Sequence, residues 1–359
     1  MLKFFFKPYR HIKHTKKIIH ITRFFGSKSY GGIQEVIKQL SNFYSWEHEV
    51  LSIGSNNFER LNKNLLSRQF EKTLSIFDDF FSLNLLKYLI KKKNSYNVIV
   101  IHYPHLLALF YIFFLPFKKK VIIFFHSEIL RSKIFYYPIN LIILFFNQSI
   151  FKYYASSNLF LDSFIYKKIK KKFIIEPFSI KMKNQKINTL KKKERFVLFI
   201  GRDTYYKGFY YLEKIIEKCP KVKFVCITDY NFKKNYSNLN KISQLEQKKK
   251  YKIIKNCEFL ISTSLNEAET FGVSLLEGLT FNKPLISFDL ATGIRKIIVN
   301  NKNGFLIKKF DVENYIIKIN RLYNNINLIK KFSIYSFLHK KNFQFNYKNI
   351  NKVFLDLNS

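Results

Sequence analysis

The chain has 359 residues, which predicts two domains of ordinary size rather than one. Its 47% hydrophobic and 18% aromatic content excludes a disordered chain, and 63 Lys and Arg against 24 Asp and Glu give a formal net charge of +39. That charge favours an anionic partner (nucleic acid, an acidic membrane face or a phosphorylated substrate), although drift in an AT-biased gene would produce it as well. Three cysteines without metal-ligand or disulfide spacing are expected to be small core residues in a reducing compartment (Cys219, Cys226 and Cys257).

The N-terminus and the longest apolar runs predict neither a leader peptide nor a membrane span. The opening "MLKFFFKPYRHIKHTKK" is basic and lacks the apolar region and cleavage site of a signal peptide. The runs "LLALFYIFFLPF" (106–117) and "FYYPINLIILFF" (135–146) fall well short of the ~20 apolar residues that cross a bilayer. We therefore expect two buried or interfacial helices.

In the N-terminal half, short apolar runs alternate with stretches of helical spacing. The spacing predicts helices over 31–44 and 83–92. Continuous rather than alternating hydrophobicity in the short runs favours a parallel sheet that is covered on both faces. A Lys-rich segment (181–195) then interrupts the pattern and is typical of a linker. The predicted strands lie at 17–22, 48–54, 97–102, 120–126 and 173–178.

The same alternation restarts in the C-terminal half, with strands predicted at 196–201, 222–228, 257–263 and 284–289. Two βαβ-repeating halves indicate an α/β protein with two doubly wound, Rossmann-like domains that face each other across a cleft. We place these domains at 1–186 and 187–335. Ligands of such sheets bind at the carboxyl ends of the strands, so the strand-to-helix turns are the candidate functional sites.

The turn "FIGRDTYYKG" (199–208) contains two cations beside a predicted helix start. The strand ends at Gly201, Arg202 follows, and Lys207 precedes the next helix. Glycine permits close backbone approach, and the two cations suit a diphosphate. The motif is not a Walker A loop, because its glycine spacing differs and no Ser or Thr follows the lysine. A solvated basic turn is the alternative interpretation.

The segment "CEFLISTSLNEAETFGVSLLEGL" (257–279) carries two carboxylates in apolar surroundings, where a charge needs a partner. If the helix begins near Phe271, Glu269 precedes it and Glu277 lies about two turns inside. A helix N-terminus favours phosphate. The alternative is a capping acid with an incidental surface glutamate. The free N–H groups that would point between the two acids belong to Phe271, Gly272 and Val273.

Two further turns are weaker candidates. Gly31 and Gly32, in "SYGGIQEV", would let a loop approach a substrate, although ordinary turns also use Gly-Gly. His126, in "FFHSEI", lies at the end of a predicted strand; a satisfied structural histidine is the alternative there.

Taken together, "YGGIQEVIKQL", "FIGRDTYYKGFYYL" and "SLNEAETFGVSLLEGLTFNKPLISFDLATGIRKIIVNNKNGFLI" resemble the retaining glycosyltransferases of family 4, which have the GT-B fold. The last segment looks like the E-x7-E signature of that family. The resemblance extends from about residue 17 to 310. It implies a C-terminal helix over 336–359 that crosses back to an N-terminal acceptor-binding domain, and it makes 187–335 the nucleotide-sugar-binding domain.

The resemblance also implies residue roles. Arg202 and Lys207 would hold the donor diphosphate, next to Gly201. Glu269 would bind sugar hydroxyls and Glu277 the ribose hydroxyls, so that both acids have substrate partners. His126 would lie beside the transferred sugar. Backbone groups would help to bind the substrates. They belong to the loop at Gly31 and Gly32 and to the amides of Phe271, Gly272 and Val273.

The implied activity is retaining transfer of a hexose from a nucleotide-diphosphate sugar to a lipid-linked or other oligosaccharide acceptor, in surface polysaccharide, O-antigen or capsule synthesis. "LATGI" (290–294) resembles a sub-group and prompts mannose as the sugar. No cofactor or metal is expected, because the cations replace one and no Asp-x-Asp pair is present. The turn at 229–250 departs from the family pattern, which leaves the nucleotide open.

Peripheral association with an anionic membrane, at the cytoplasmic face of the plasma membrane, would account for the basic, aromatic-rich N-terminal half. The enzyme alternatives are another GT-B member, namely a sugar-nucleotide epimerase or a phosphorylase. The other alternative is a basic nucleic-acid-binding protein. We expect no nucleic-acid partner, because the basic residues are spread along the chain rather than concentrated on one element.

Overall fold

The computed structural model describes residues 17–26, 32–43, 46–76, 79–115, 120–126, 140–155, 164–175, 194–243, 245–266 and 268–343. The chain divides into two compact units, Met1–Phe124 with Ile142–Lys152 and Phe125–Leu141 with Tyr153–Ser359. The predicted domain boundary at 186/187 lies outside the described residues, as do residues 344–359 of the predicted C-terminal helix.

The first sheet has eight strands in the order β10-β9-β8-β7-β1-β2-β4-β3. Strand β1 pairs in parallel with β2 on one side and with β7 on the other. All five strands predicted for this half form, with ends that differ by one to three residues. The strands are β1 Lys17–Ile21, β2 Glu47–Ile53, β3 Phe58–Asn62, β4 Leu65–Phe70, β5 Leu74–Ile76, β6 Asp79–Phe81, β7 Val98–Tyr103, β8 Lys120–Phe125, β9 Ile150–Ala155 and β10 Phe173–Ile175, with β5 and β6 in a separate two-stranded sheet.

Several strands of this half were not predicted from the sequence. Strands β3 and β4 form an antiparallel hairpin at the edge of the sheet, and β3 is largely exposed. Edge strands carry polar residues on a solvated face, so "FERLN" lacks the continuous apolar pattern of the central strands. The short β5 and β6 and strand β9 were missed as well.

The two predicted helices of this half are present as α1 (Gly32–Phe43) and α2 (Leu83–Lys91). The apolar run at 106–117 forms a 3₁₀ helix, Leu107–Phe114, and part of the second run is helical at 140–145. Within Leu107–Phe114, Ala108, Leu109 and Tyr111 are fully buried. Phe113 and Phe114 are more than half exposed, so this element is buried on one side only.

The second sheet has six strands in the order β13-β12-β11-β14-β15-β16, and every neighbouring pair is parallel. The four strands predicted from continuous apolar runs form its centre. The two strands at its edges, one of them exposed, were not predicted. The strands are β11 Val197–Ile200, β12 Phe224–Ile227, β13 Leu239–Ile242, β14 Phe259–Ser262, β15 Leu285–Phe288 and β16 Gly304–Ile307.

Helices cover both faces of this sheet because alternate strand residues point to opposite sides. Phe199 packs with Ile215 and Ile319 in one core cluster. Its neighbour Leu198 packs with Leu276 in the other. Helix α3, Phe164–Ile169, precedes β10 of the first sheet; the helices of this half are α4 Phe209–Lys218, α5 Gln247–Asn256, α6 Val273–Thr280, α7 Ile294–Ile297, α8 Val312–Tyr323 and α9 Ile326–His339. The doubly wound prediction is confirmed.

The three cysteines lie where the sequence predicted them. All three cysteines are buried free thiols, as expected for small core residues. Burial raises the pKa of the Cys219 thiol to about 11.

Within the described residues, no helix combines the length and the apolarity needed to cross a bilayer.

Candidate functional site

The strand order of the second sheet brings two of the predicted turns together. Strand β11 lies between β12 and β14, so the chain leaves β11 toward one edge and later returns on the other side. This reversal is a topological switch point, where doubly wound sheets bind their ligands. The turn after β11 carries Arg202 and Lys207, and the turn after β14 carries Glu269. Sequence-distant residues therefore meet at one sheet edge.

Lys207 and Glu269 form a buried ion pair between Nζ and Oε2. The same carboxylate oxygen accepts a 2.8 Å hydrogen bond from Ser264 Oγ. Thr263 Oγ1 donates to the carbonyl oxygen of Lys207 at 2.8 Å, and Leu265 N donates to the carbonyl oxygen of Tyr206 at 2.7 Å. The two turns are thus joined through side chains and backbone together.

The pKa of Lys207 reflects this pairing. Burial by itself lowers the pKa of the ammonium group, but the charge of Glu269, with Tyr206 nearby and the hydrogen bond to Glu269, outweighs burial. The pKa of Lys207 is consequently raised above its ordinary value, although Arg202 opposes the rise. Lys207 therefore stays charged at neutral pH, as electrostatic stabilisation of an anion requires.

Two glycines give this turn its shape. A Cβ at Gly201 would lie 3.0 Å from the ring of Phe199 and 3.3 Å from Cδ of Lys207, so the lysine stem packs directly on the backbone. Gly208 has φ of +67°, and a Cβ there would lie 2.2 Å from the carbonyl oxygen of Thr263. Both the positive φ and this close approach exclude a side chain at Gly208.

Glu277 lies on helix α6 and is 3% exposed. Its Oε1 accepts a 2.5 Å hydrogen bond from Nζ of Lys250, on α5. We expected the partners of both acids to be substrate hydroxyls. Each acid also has a lysine partner within the protein, which the sequence did not predict, and the contacts with substrate hydroxyls stay predictions. A carboxylate buried to this degree needs a counter-charge even before a ligand binds.

Helix α6 begins at Val273, two residues later than the predicted start. Gly272 precedes it with φ of +74°, and no side chain caps the first turn. The first N–H groups of a helix have no intrahelical acceptor, so this end can receive an anion. The Phe271 side chain is 3% exposed and belongs to the core; only its backbone is placed at the helix start.

Arg202 follows β11 directly, and its side chain is exposed. Among the described residues it has no recorded ion pair or hydrogen bond. The charge of Arg202 acts to lower the pKa of Lys207, so an exposed guanidinium and a buried ammonium lie at the same turn.

His126 follows β8, and its carbonyl oxygen accepts a 2.5 Å hydrogen bond from Thr270 Oγ1. Burial lowers the pKa of the His126 imidazole to about 3, so the ring is neutral at physiological pH. Thr270 is the neighbour of Glu269, and His126 is therefore connected to the same turn. Gly32 is the first residue of α1, and Gly31 lies outside the described residues.

Sequence reasoning missed several residues of this site. Lys250 stands in a run of lysines ("QKKKYKIIK"), and nothing in that run distinguishes it from its neighbours. Ser264 and Thr263 are short polar residues after a strand, and their position at a strand end was the available signal. Glu213, on α4, accepts hydrogen bonds from the phenols of Tyr230 and Tyr236 at 2.6 and 2.9 Å, and so orders the atypical turn after β12.

Comparisons with known proteins agree with this architecture. Residues 180–338 match the family model "Glycosyl transferases group 1". O-antigen chain mannosyltransferase C of Escherichia coli is 25% identical over 342 residues, 86% of this chain and 89% of that protein. D-rhamnosyltransferase WbpZ of Pseudomonas aeruginosa is 22% identical over 314 residues, 81% of this chain and 82% of that protein.

Among solved structures, HepE from Anabaena in complex with UDP and glucose has a TM-score of 0.71 at 14% identity. The similarity covers 96% of this chain and 99% of that one. Structural similarity at this identity shows the fold, which is GT-B. With the family match and the two long relatives, it supports a GT-B glycosyltransferase.

Proposed function

We propose that this glycosyltransferase moves a hexose from a nucleotide-diphosphate sugar to a saccharide acceptor during synthesis of a surface polysaccharide. The observation that carries the proposal is the Lys207–Glu269 pair beside Arg202 at the switch point of the second sheet. This edge supplies cations for a diphosphate and a carboxylate for sugar hydroxyls. The two long relatives, named as a mannosyltransferase and a rhamnosyltransferase of bacteria, favour the same assignment.

In this proposal Arg202 and Lys207 bind the donor diphosphate, with the first N–H groups of α6. Breaking the bond between the anomeric carbon and the phosphate oxygen develops positive charge on the sugar and negative charge on the leaving diphosphate. Fixed cations stabilise that negative charge without rearranging, and removing one such donor typically costs about 10²–10³ in rate. Glu269 keeps Lys207 charged and in place before the donor arrives.

The two carboxylates are proposed to bind the ends of the donor. Glu269 accepts from sugar hydroxyls and Glu277 from ribose hydroxyls, as in the E-x7-E signature of family 4. Lys250 and Lys207 hold these acids in the ligand-free protein. Neutral His126 lies beside the transferred sugar in this proposal and can offer a hydrogen bond without adding charge near the developing cation.

The proposed reaction retains the anomeric configuration and uses neither a protein nucleophile nor a metal. The acceptor hydroxyl attacks the face from which the diphosphate departs and passes its proton to the departing phosphate oxygen, while the two cations do the work that a divalent ion does elsewhere. Both relatives are named for sugars of manno configuration, since rhamnose is 6-deoxymannose. We therefore propose a manno-configured donor, in agreement with the interpretation of "LATGI".

A thermal-shift screen of UDP-, GDP- and dTDP-hexoses, followed by transfer assays with the stabilising donor, tests the proposal. A ligand that binds the folded state raises apparent stability by mass action, by about 2.7 kcal/mol at 100 times its Kd. We expect one nucleotide class to raise the melting temperature and Arg202→Ala to remove most of the shift. Arg321→Ala, an exposed arginine on α8, is the matched control. Absence of a shift with every nucleotide would contradict the proposal.

We also propose that the enzyme works on lipid-linked acceptors while bound peripherally to the cytoplasmic face of an anionic membrane. An aromatic patch on the first unit (Phe110, Phe113, Phe114 and Phe145) supports this. These four rings are 40 to 70% exposed, and Phe113 contacts Phe110 and Phe145 with centroids 6.3 and 5.8 Å apart. Exposed contiguous apolar surface marks an interaction site, and the +39 charge favours anionic lipid over a second copy of a strongly cationic chain.

Liposome flotation with and without phosphatidylglycerol tests the membrane proposal. We expect binding only to the anionic vesicles, and a loss of at least about fivefold in Phe113→Ser/Phe145→Ser. Phe58→Ser is the matched control, because Phe58 is 51% exposed on edge strand β3 outside the patch. Equal flotation of the double variant and the wild type would refute the role of the patch. Concentration-dependent dimers that the double variant abolishes would assign the patch to a second copy instead.

A further inference from the structure

A row of aromatic rings lies at the carboxyl edge of the second sheet, outside the residues assigned to the donor. Tyr210 and Tyr211 stand in the first turn of α4, and Phe310 stands in the turn after β16. The ring centroids of Tyr210 and Tyr211 are 5.2 Å apart, and those of Tyr211 and Phe310 are 5.4 Å apart. These three rings are therefore continuous, and we call them the aromatic strip.

The aromatic strip is held at its middle and open at its two ends. The ring of Tyr211 packs edge-on against the fully buried ring of Phe288, at the end of β15, with centroids 5.8 Å apart. Tyr210 and Phe310 are 53% and 50% exposed. Rings that are held in this way offer a ligand a large contact area at a low cost in conformational entropy.

The backbone at Phe310 indicates that its ring does more than pack. Phe310 has φ of +70°, a conformation that is costly for a bulky residue and less so for asparagine. Among the described residues other than glycine, the remaining positions with positive φ are all asparagine, namely Asn56, Asn282 and Asn301. The chain thus has an exposed phenylalanine where it elsewhere has asparagine. Residues in such conformations cluster at ligand sites and other functional sites.

Three lysines surround the aromatic strip. Nζ of Lys214 lies 4.3 Å from the ring centroid of Tyr210, and Nζ of Lys309 lies 4.8 Å from that of Phe310. Nζ of Lys233, in the turn after β12, lies 6.0 Å from the centroid of Tyr210. None of these ammonium groups has an ion pair with an acid in the part of the chain that the structure describes. Their charge is therefore available to an anionic ligand.

These features indicate the chemistry of the ligand. Aromatic rings pack on the apolar face of a sugar, and the phenol hydroxyls of Tyr210 and Tyr211 can hydrogen-bond its hydroxyls. The lysines favour a ligand with carboxylate or phosphate groups. Two rings of the aromatic strip carry a hydroxyl, whereas all four rings of the aromatic patch on the first unit are phenyl groups. The strip therefore fits a hydrated, hydroxyl-bearing ligand better than acyl chains.

We propose that the aromatic strip, with Lys214, Lys233 and Lys309, binds an acidic saccharide, a chain of sugars that carries carboxylate or phosphate groups. This inference rests on the proposed function, since the strip begins directly after the candidate donor turn (199–208), where a segment of the polymer would meet it. The rings pack on the sugars, and the ammonium groups pair with the acidic substituents. The strip contacts neither the donor nor the reacting atoms.

Isothermal titration of the full-length protein with tetragalacturonate and with its methyl ester tests the charge requirement. The two tetrasaccharides have the same sugar rings, and only the first carries carboxylates. We expect the acid to bind at least about tenfold more tightly than the ester, because its contacts with the lysines are charge-assisted. Equal affinity for the two saccharides, or binding of neither, would overturn the proposal.

The variant Phe310→Asn separates ligand binding from folding. Asparagine tolerates positive φ and lacks the ring, so tetragalacturonate should bind at least about fivefold more weakly while the Tm stays the same or rises. Phe58→Asn is the matched control, because Phe58 is 51% exposed and has the guanidinium of Arg68 4.4 Å from its ring centroid, but lies in strand β3. Unchanged affinity in Phe310→Asn, or an equal loss in the control, contradicts the proposal.

The double variant Lys214→Gln/Lys309→Gln tests the lysines. It should bind tetragalacturonate at least about fivefold more weakly and leave the affinity for the methyl ester unchanged. Lys330→Gln/Lys331→Gln removes the same charge from exposed positions of α9. Equal losses in the two double variants would reveal a general effect of net charge and exclude a local site.

The variant Phe310→Asn also distinguishes the other occupants of such a surface. Weaker flotation on phosphatidylglycerol vesicles with unchanged saccharide binding would assign the aromatic strip to lipid. Concentration-dependent dimers that the variant abolishes, again with unchanged saccharide binding, would assign it to a second copy of the chain. Either result would overturn the saccharide site.

Donor assays separate this inference from the proposed function. Phe310→Asn should keep the thermal shift caused by the nucleotide sugar, and loss of that shift would place the ring in the donor site instead. Binding of tetragalacturonate that depends on Phe310, in a protein that turns over no nucleotide sugar, would retain the aromatic strip and contradict the function. Transfer activity in a protein that binds no acidic saccharide would retain the function and overturn the strip.

Discussion

Lys207 and Glu269 are 62 positions apart in the chain, yet their charged groups form a buried ion pair at the carboxyl edge of the second sheet. They follow the neighbouring strands β11 and β14, and Ser264 donates to the same oxygen of Glu269. The pair keeps an ammonium group charged in a buried place, which is the electrostatic condition for binding a diphosphate there.

Glu269→Gln should reduce transfer by more than tenfold. Glutamine keeps the shape of the side chain but removes the charge that raises the pKa of Lys207. Lys207 then loses its ion-pair partner, and the sugar hydroxyls lose a carboxylate that accepts their hydrogen bonds. The measurement is kcat/KM for the nucleotide sugar. Glu258→Gln is the matched control, because Glu258 is a buried acid of the same unit that pairs with Arg195 at the amino end of β14. Equal losses in both variants would refute the special role of Glu269.

Glu277→Gln and Arg202→Ala should each lower transfer by more than tenfold with the fold intact. In the proposed function Glu277 accepts hydrogen bonds from the ribose hydroxyls, and the exposed cation Arg202 binds the diphosphate. Circular dichroism and the melting temperature establish that the fold is retained. Near-normal turnover in either variant would remove that residue from its proposed role.

Gly208→Ala should destabilise the second unit by about 1–3 kcal/mol and lower transfer. The alanine would need φ of +67° and a Cβ 2.2 Å from the carbonyl oxygen of Thr263, which would push the turn of Lys207 away from β14. Gly54→Ala is the comparison, because the new Cβ would meet only the side chain of Gln69. Chemical denaturation measures the difference, and a larger loss in Gly54→Ala would contradict this account.

Transfer should persist in excess EDTA. Arg202 and Lys207 neutralise the leaving diphosphate in the proposed mechanism, so chelation of divalent ions removes nothing that the reaction needs. The assay compares initial rates with EDTA, with EDTA and excess Mg²⁺, and without additions. A loss of activity in EDTA that Mg²⁺ or Mn²⁺ restores would exclude the metal-free mechanism.

The free energy of unfolding of the first unit should fall as the pH drops from 6.5 toward 4. His20 bridges His48 and His102 with ring nitrogens 2.9 Å apart, and burial lowers the pKa of His48 from 6.5 to about 4. The unfolded state therefore binds more protons in this window, and stability that is present above pH 6.5 is lost as the pH falls through it. The effect of His48 amounts to about 3 kcal/mol.

Trp46 is the single tryptophan of the chain and lies two residues before His48, so its fluorescence reports unfolding of this unit. Denaturation at several pH values should give a steeper loss of stability in the wild type than in His48→Gln. Parallel pH dependences of the two proteins would show that His48 does not contribute.

The central strands of both sheets could be predicted from the sequence, whereas the predicted start of α6 was two residues too early. Short continuous apolar runs such as "FVLFIG" and "CEFLIST" favour buried strands of a covered sheet, and all nine predicted strands form. The strand-end turns with Arg202, Lys207 and Glu269 were identified for the same reason, since ligands meet a doubly wound sheet at those ends. Edge strands such as β3 and β13 were not predicted, because exposed strands do not show a continuous apolar pattern.

The partners of the buried charged side chains became known only from the folded structure. The sequence does not distinguish Lys250 from its neighbouring lysines, but α5 places it beside the carboxylate of Glu277, and Arg23, Asp79 and His105 come together only in the folded first unit. The pattern of apolar and polar residues that predicts a strand or helix depends on neighbours along the chain. A buried charge, in contrast, is balanced by a residue that the fold brings within about 3 Å. That is why the sequence located the candidate turns, and why the lysine partners of Glu269 and Glu277 had to come from the structure.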